Sequence, residues 1–484
     1  MIGKALIKDS AVYGGADFVS KLLAFIAFPI VASVLDPSAF GALELIFTSI
    51  ALSGVIVNCG LNNALQRYYW DKDVPVSVQP TLVTTGLLTQ MAFCLIAMIA
   101  GFGLLSFFHS YLETKDLPFS AIALIYALFL LICTQCTQFI LDVTRLHFAP
   151  WRFLALAILV RVFTLAAGVV AVVFAGLGID GMLFGQVVVY IFVIPLAFLM
   201  IKRDLVFREF NVVWAKRLIK FGSPFIFAGI AYWLFNSMDR WMLSSMRSLE
   251  EVGVYSVAAR FASIVLFLSV AFGQAFSPVA MKIRRDYPDE YRKIFGQILI
   301  GLLAVMLMAA SGVSFFAGEI LFLLMPTDYM SASIPMILLS FGIVIQSAQQ
   351  VTAIGISIEK KTHLFANLAW TAALINFVGN WMLIPRYGIS GAATSTILSY
   401  AFISLSYFFF TQRLHPIIVP KYMLGLLGVL FCLLLLGSAG FVQSTFSVQV
   451  VISKLVFLIV LSGVIVAYSY RYFVTLNNPD HVRI

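Results

Sequence analysis

The sequence predicts an all-α integral membrane protein of about 14 transmembrane helices, arranged as two parallel six-helix lobes with two further helices at the C-terminal end. Three observations predict it: a composition far from that of soluble proteins, a series of bilayer-length apolar runs, and an internal repeat. Hydrophobic residues make up 62% of the 484 positions and charged residues 11%, where a soluble protein carries about 25% charged. A helix needs about 20 apolar residues to cross the hydrocarbon core. Such runs fall at about 13–35, 42–65, 81–108, 118–140, 153–176, 180–201, 218–241, 253–276, 294–323, 333–357, 364–384, 390–411, 420–440 and 450–473. Lipid leaves helices and closed barrels as the options, and runs this apolar do not alternate as barrel strands do.

The first run is too long for the apolar region of a signal peptide, and no small-residue cleavage site follows it. When the spans alternate across the bilayer, 23 of the 31 Lys and Arg fall on the inner side, 5 (Lys115, Arg240, Arg247, Arg386 and Lys454) on the outer and 3 within spans. The positive-inside rule places both termini in the cytoplasm. The formal charge of +9 is therefore a topology signal and calls for no nucleic-acid partner. The longest loop, 202–219, is among the most basic. It reads as a linker and topology anchor or as an amphipathic helix on the anionic leaflet, with Val212, Val213 and Trp214 among Lys216, Arg217 and Lys220.

Three matches support the repeat. Phe40-Gly41 corresponds to Val252-Gly253 at an offset of 212, and Gly178–Gly181 to Gly388–Gly391 at 210. Gln135 and Gln138 correspond to Gln346 and Gln349 at 211. Six spans per repeat is an even number, so the halves share one orientation, which predicts parallel repeats around an axis along the membrane normal. The expected division is 1–205, 206–416 and 417–484.

Charges inside spans are the strongest functional signal, because each costs roughly 2.5–3.5 kcal/mol on insertion scales. Lys21, Arg161 and Arg260 are the basic residues in spans, and Asp17 stands one turn before Lys21. Snorkelling to the interface would explain long side chains near helix ends. Facing a polar lumen is the other reading; there the planar guanidinium fork suits phosphate. Gln135 with Gln138, and Gln346 with Gln349 and Gln350, recur at helical spacing on one face. Such amides bind sugar hydroxyls, and they equally tie membrane helices together. Pro29 lies inside the first span and permits a bend, static or moving.

No catalytic constellation, metal spacing or phosphate loop is present, so the chain reads as a non-enzyme needing no cofactor. Cys133-x-x-Cys136 sits mid-helix without histidines and reads as a packing pair. The five histidines fall in loops or near helix ends and read as surface residues.

Several stretches resemble the polysaccharide-transporter family (Wzx-like O-antigen and exopolysaccharide flippases) of the multidrug/oligosaccharidyl-lipid/polysaccharide (MOP) superfamily. They are Phe28-Pro29 with Leu35-Asp36-Pro37 and Phe40-Gly41; Asn62 through Tyr69; Asp239-Arg240 followed by Glu251 through Tyr255; and Pro385 through Ala393. The resemblance implies a V-shaped, MATE-like pair of lobes that moves an undecaprenyl-pyrophosphate-linked oligosaccharide between leaflets by alternating access. It implies that Lys21, Arg161 and Arg260 meet the pyrophosphate; Arg240, Gln135, Gln138, Gln346 and Gln349 are the further substrate-binding candidates, and Asp17 and Pro29 the coupling or switch candidates. A polysaccharide polymerase and a chain-length regulator would be the protein partners. The two helices beyond the twelve of the core fold are similar to those of lipid II flippases, where they form a groove for the lipid tail. Alternatives are therefore a lipid II flippase, a cation-coupled multidrug exporter using Asp17, and a membrane glycan polymerase, against which the short outer loops argue.

Overall fold

The computed structural model describes residues 19, 21–113, 118–359, 361, 363–441 and 447–477, and at 108–113, 462 and 464–477 the backbone alone. Asp17 lies outside the described residues. Helices account for nearly all of the rest, and no strand occurs among the described residues. Contacts divide the chain into a first unit, Met1–Ser237, and a second, Met238–Ile484.

The first unit contains α1 (Lys21–Val34), α2 (Pro37–Asn58), α3 (Leu61–Tyr69), α4 (Gln79–Glu113), α5 (Ala121–Leu146), α6 (Pro150–Val173), α7 (Gly178–Ile201) and α8 (Val212–Gly222). Helix α9 (Pro224–Met246) carries the boundary. The second unit continues with α10 (Leu249–Asp286), α11 (Tyr291–Phe315), α12 (Ala317–Leu324), α13 (Ser333–Ser347), α14 (Gln349–Thr352), α15 (Ile354–Ile358), α16 (His363–Leu414), α17 (Lys421–Gly440) and α18 (Val448–Asn477).

Among the described residues ten helical segments are long and apolar enough to span a membrane, and the bent pair α8–α9 makes an eleventh. Lys21–Val34 and Val448–Leu461 are shorter apolar helices, and α16 is broken at Gly388 (φ 53°, ψ −133°) into two predicted runs. Each predicted run thus overlaps a helix. Their starts are chemically marked. Asp36 caps α2 by accepting from Ala39 N at 2.7 Å, with Pro37 as the first helical residue. Ser120, Asn211 and Ser248 cap α5, α8 and α10 in the same way, satisfying amides that lack an intrahelical partner.

In the first unit α5 is central, packing on α2, α4, α6 and α7, while α8 lies against α3 and α4. Helix α8 buries Ala215, Leu218 and Gly222 and leaves Val212 and Val213 exposed beside its basic residues. In the second unit α13 packs on α10, α11, α16 and α17, and α18 packs on α11.

The tenth predicted run is three helices rather than one, interrupted at Ala348 and Ala353. Two hydroxyls of α16 take up carbonyls along the interruption: Ser404 donates to Ile345 O at 2.9 Å, and Thr411 donates to Thr352 O. Helix interruptions in a bilayer persist where such groups re-satisfy the backbone.

Candidate functional site

Arg161 lies 11 residues after the first residue of α6 and 12 before the last, about 17 Å from either end. Its side chain is exposed on the first unit, and its charge reaches Tyr190 of α7. Arg260 lies 11 residues into α10 and is half-buried. Both sit deeper than the run boundaries imply, because α6 and α10 begin three and four residues earlier than the predicted runs. Lys21 is half-buried at the start of α1, and Pro29 lies inside that helix.

Arg240 belongs to a buried polar network in the second unit. Its Nε donates to Ser256 Oγ at 3.2 Å, and its guanidinium lies 3.7 Å from Asp239 Oδ1. The Tyr255 hydroxyl donates to Asp239 Oδ2 at 2.5 Å and also bonds Thr396. Thr396 accepts from Asn376 Nδ2 at 3.5 Å, and Asn376 Oδ1 accepts from Asn380 at 3.0 Å. Asp239, Tyr255, Asn376, Asn380 and Thr396 are all buried, and Asn380 Oδ1 is left without a partner.

One turn beyond, Arg247 Nε donates to Glu251 Oε1 at 2.8 Å. A β-carbon on Gly388 would lie 2.7 Å from the other oxygen of that carboxylate. Three stretches that carry the family resemblance, Asp239-Arg240, Glu251–Tyr255 and the segment around Gly388, therefore meet in space.

The glutamines make local ties. Gln135 accepts from Gln90 at 3.0 Å and fills the space over Gly54. Gln138 donates to Asp142 Oδ1 at 3.1 Å. Gln349 donates to Ser404 at 3.3 Å and Gln350 to Ser269 at 3.5 Å, while Gln346 Oε1 is buried without a partner. All but the Gln138–Asp142 pair join different helices, which is what intramembrane amides do when they act as helix ties.

Three features escaped sequence reading. Asp142 lies in the last turns of α5, two residues past the predicted run 118–140, because the helix continues beyond the apolar stretch to Leu146. Lys454, expected on the outer side, is buried in α18 and donates to Glu319 Oε1 of α12 at 2.6 Å, so distance along the chain hid a pair separated by 135 residues. His415, expected at the surface, is 6% exposed and stacks on Tyr291 at 5.2 Å. Cys133 is half-buried and Cys136 buried, and no cluster of three His, Cys, Asp or Glu side chains suited to a metal occurs among the described residues.

The second unit also holds an apolar cleft of about 400 Å³ between α11, α13, α14, α16 and α17, walled by Leu303, Leu307, Phe408, Leu424, Leu427 and Phe431. Its chemistry suits a hydrocarbon chain.

Long apolar helices with a few intramembrane charges are those of a multi-pass membrane protein. The chain belongs to the family described as Polysaccharide biosynthesis protein, whose model matches residues 6–284. The MatE model matches residues 224–382. Over 188 residues the chain is 22% identical to the probable low-salt glycan biosynthesis flippase Agl15 of Haloferax volcanii, covering 39% of this chain and 40% of that protein. Over 215 residues it is 25% identical to the capsular polysaccharide biosynthesis protein CapF of Staphylococcus aureus, covering 42% and 52%. The chain thus spans about half the length of these curated relatives.

Among solved structures, the lipid II flippase MurJ in an inward closed conformation superposes with a TM-score of 0.74 at 14% identity, over 95% of this chain and 98% of that one. An inward-facing multidrug resistance MATE family transporter of the MOP superfamily gives 0.55 at 17% identity, over 81% and 94%. The fold is the one these two structures share.

Proposed function

We propose that the chain is a flippase carrying an undecaprenyl-pyrophosphate-linked oligosaccharide, such as an O-antigen, capsule or exopolysaccharide unit, from the cytoplasmic to the periplasmic leaflet of the inner membrane. The observation that carries this reading is the contrast among charges inside the helices. Asp239 and Glu319 are buried against their own partners, whereas Arg161 stands exposed near the middle of α6. Unburied positive charge at that depth favours an anionic cargo and disfavours a cationic drug. Guanidinium forks match a pyrophosphate, and the apolar cleft beside α17 suits the lipid tail. Arg260 and Lys21 are assigned to the same role, with Gln346, Gln349, Gln135 and Gln138 near the sugar path and Asp17 with Pro29 as a switch. Both termini face the cytoplasm, and a polymerase and a chain-length regulator receive the product.

A second reading, a lipid II flippase, is favoured by one observation: the likeness to MurJ extends over 95% of the chain. Arg161→Ala with Arg260→Ala decides whether the arginines carry transport. The double variant is expected to insert normally and lose essentially all transfer of lipid-linked oligosaccharide across proteoliposomes. Full transfer in the double variant would sink the assignment. Transfer of lipid II in preference to the oligosaccharide carrier would favour the second reading.

A further inference from the structure

Among the acids of the apolar segments, Asp239, Glu319 and Asp142 differ in their surroundings. Asp239 accepts a tyrosine hydroxyl at 2.5 Å and has a guanidinium beside it. Glu319 holds an ammonium at 2.6 Å. Asp142 has far less: an amide from Gln138 at 3.1 Å on Oδ1, and Arg145 at 3.8 Å from that same oxygen. Its Oδ2 is buried with no hydrogen-bond partner, though the side chain as a whole is 16% exposed. An ionised carboxylate offers about four lone-pair sites and is costly to bury when they go unmet.

Neighbouring charges do not fill the gap. Arg145 is drawn aside, with its guanidinium 4.5 Å from the Phe153 ring of α6. Arg67 on α3 is paired with Asp71 at 2.9 Å, and Glu44 on α2 has a partner of its own. On α6 Arg152 is exposed and the charge of Arg161 acts on Tyr190; on α7 Asp180 accepts from Ser120 N at 3.4 Å. His147, five residues on, faces Asp204 at 3.1 Å. Asp142 stands four residues, about 6 Å, from the last residue of α5, so water at that end is within a short step.

We propose that Asp142 is a proton-binding site of the transport cycle, taking one proton from water as its carboxylate becomes the acid and returning it as the acid ionises. The inference rests on the transporter reading above and deepens it by naming the coupled ion. Arg145 supplies the linkage. Ionised Asp142 draws the guanidinium in from Phe153, and protonated Asp142 releases it onto that ring. Each proton therefore alters how the end of α5 is held to α6, the helix that carries Arg161.

The test uses the full chain, as wild type, Asp142→Asn and Asp142→Glu, in proteoliposomes containing lipid-linked oligosaccharide. One unit of pH across the membrane is worth up to about tenfold in the leaflet distribution when one proton is coupled. Wild type and Asp142→Glu are expected to show that dependence, and Asp142→Asn to move substrate with a distribution indifferent to the gradient. A second readout is infrared titration without substrate: a carboxyl band that titrates in wild type is missing in Asp142→Asn. Gradient dependence retained in Asp142→Asn, or identical infrared titrations, overturns the proposal. If wild type moves no oligosaccharide at all, the transporter reading fails, and the infrared comparison still decides whether Asp142 takes a proton.

Discussion

At matching positions of the repeat, Asp36 and Ser248 each cap a helix, and Gly178 (φ 55°) and Gly388 (φ 53°) each adopt a left-handed backbone. The surroundings diverge. Gly388 is packed against the Glu251 carboxylate and the Arg247 guanidinium, whereas nothing approaches within 4 Å of the corresponding β-carbon position at Gly178. The first-unit residues that correspond to Arg247 and Glu251 are Leu35 and Ala39. Those corresponding to Asp239, Tyr255, Asn376 and Asn380 are Ala27, Leu43, Ala166 and Val170. One helical scaffold therefore forms with an apolar filling in the first unit and an ionic one in the second. Because apolar residues suffice to build the unit, and burying ions carries a desolvation cost, the second unit's network serves something other than shape. The first unit holds its helices with an amide pair, Gln90–Gln135, and leaves Asp142 under-compensated.

If ions are structural determinants of the second unit, breaking its most buried pair has the largest effect. Lys454→Met leaves Glu319 buried without its cation, and removal of one partner of such a pair costs about 3–5 kcal/mol. Thermal unfolding in detergent should show a large loss for Lys454→Met and recovery in Lys454→Met with Glu319→Leu. A double variant as unstable as the single one would mean that the pair fixes how α18 docks rather than simply cancelling charge.

The glycine pair sharpens the comparison at a smaller scale. Alanine at a left-handed position costs roughly 1–2 kcal/mol, a term common to Gly178→Ala and Gly388→Ala. Gly388→Ala must also displace a carboxylate that would lie 2.7 Å from the new carbon. The expected order is therefore a larger drop in unfolding temperature for Gly388→Ala. Equal drops would show that the Arg247–Glu251 pair yields freely and that the contrast between units is not mechanical.

Much of this was legible in the sequence. Hydropathy located the spans because the bilayer imposes a minimum apolar length, and the near-constant offset exposed the repeat because corresponding helices keep their glycines and glutamines. Arg161 and Arg260 stood out because charge in such a run is costly. What stayed hidden were relations between distant residues. Nothing near Lys454 announces Glu319, and nothing near Tyr255 announces Asn376. The breaks at Ala348 and Ala353 escaped because alanine does not punctuate a helix as proline does. They depend on hydroxyls of Ser404 and Thr411 supplied by another helix.

The smallest expected effect concerns His415, which follows α16 in the second unit, where the repeat offset of 210 places Leu205 in the first. Burial, then the charges of Arg284 and Arg292, hold the His415 imidazole below its ordinary pKa, and the Glu359 carboxylate 3.6 Å from Nδ1 offsets this only in part. Its Nε2 is buried without a partner. A base with a lowered native pKa takes up protons more readily when unfolded. The stability it permits is thus complete above its ordinary value of 6.5 and falls as pH drops toward the native value. Acidifying from about pH 7 to about pH 5 should lower the unfolding temperature of wild type more than that of His415→Gln, by less than the shift expected at Gly178. The opposite order would mean that protonated His415 gains more from Glu359 than it loses to the two arginines.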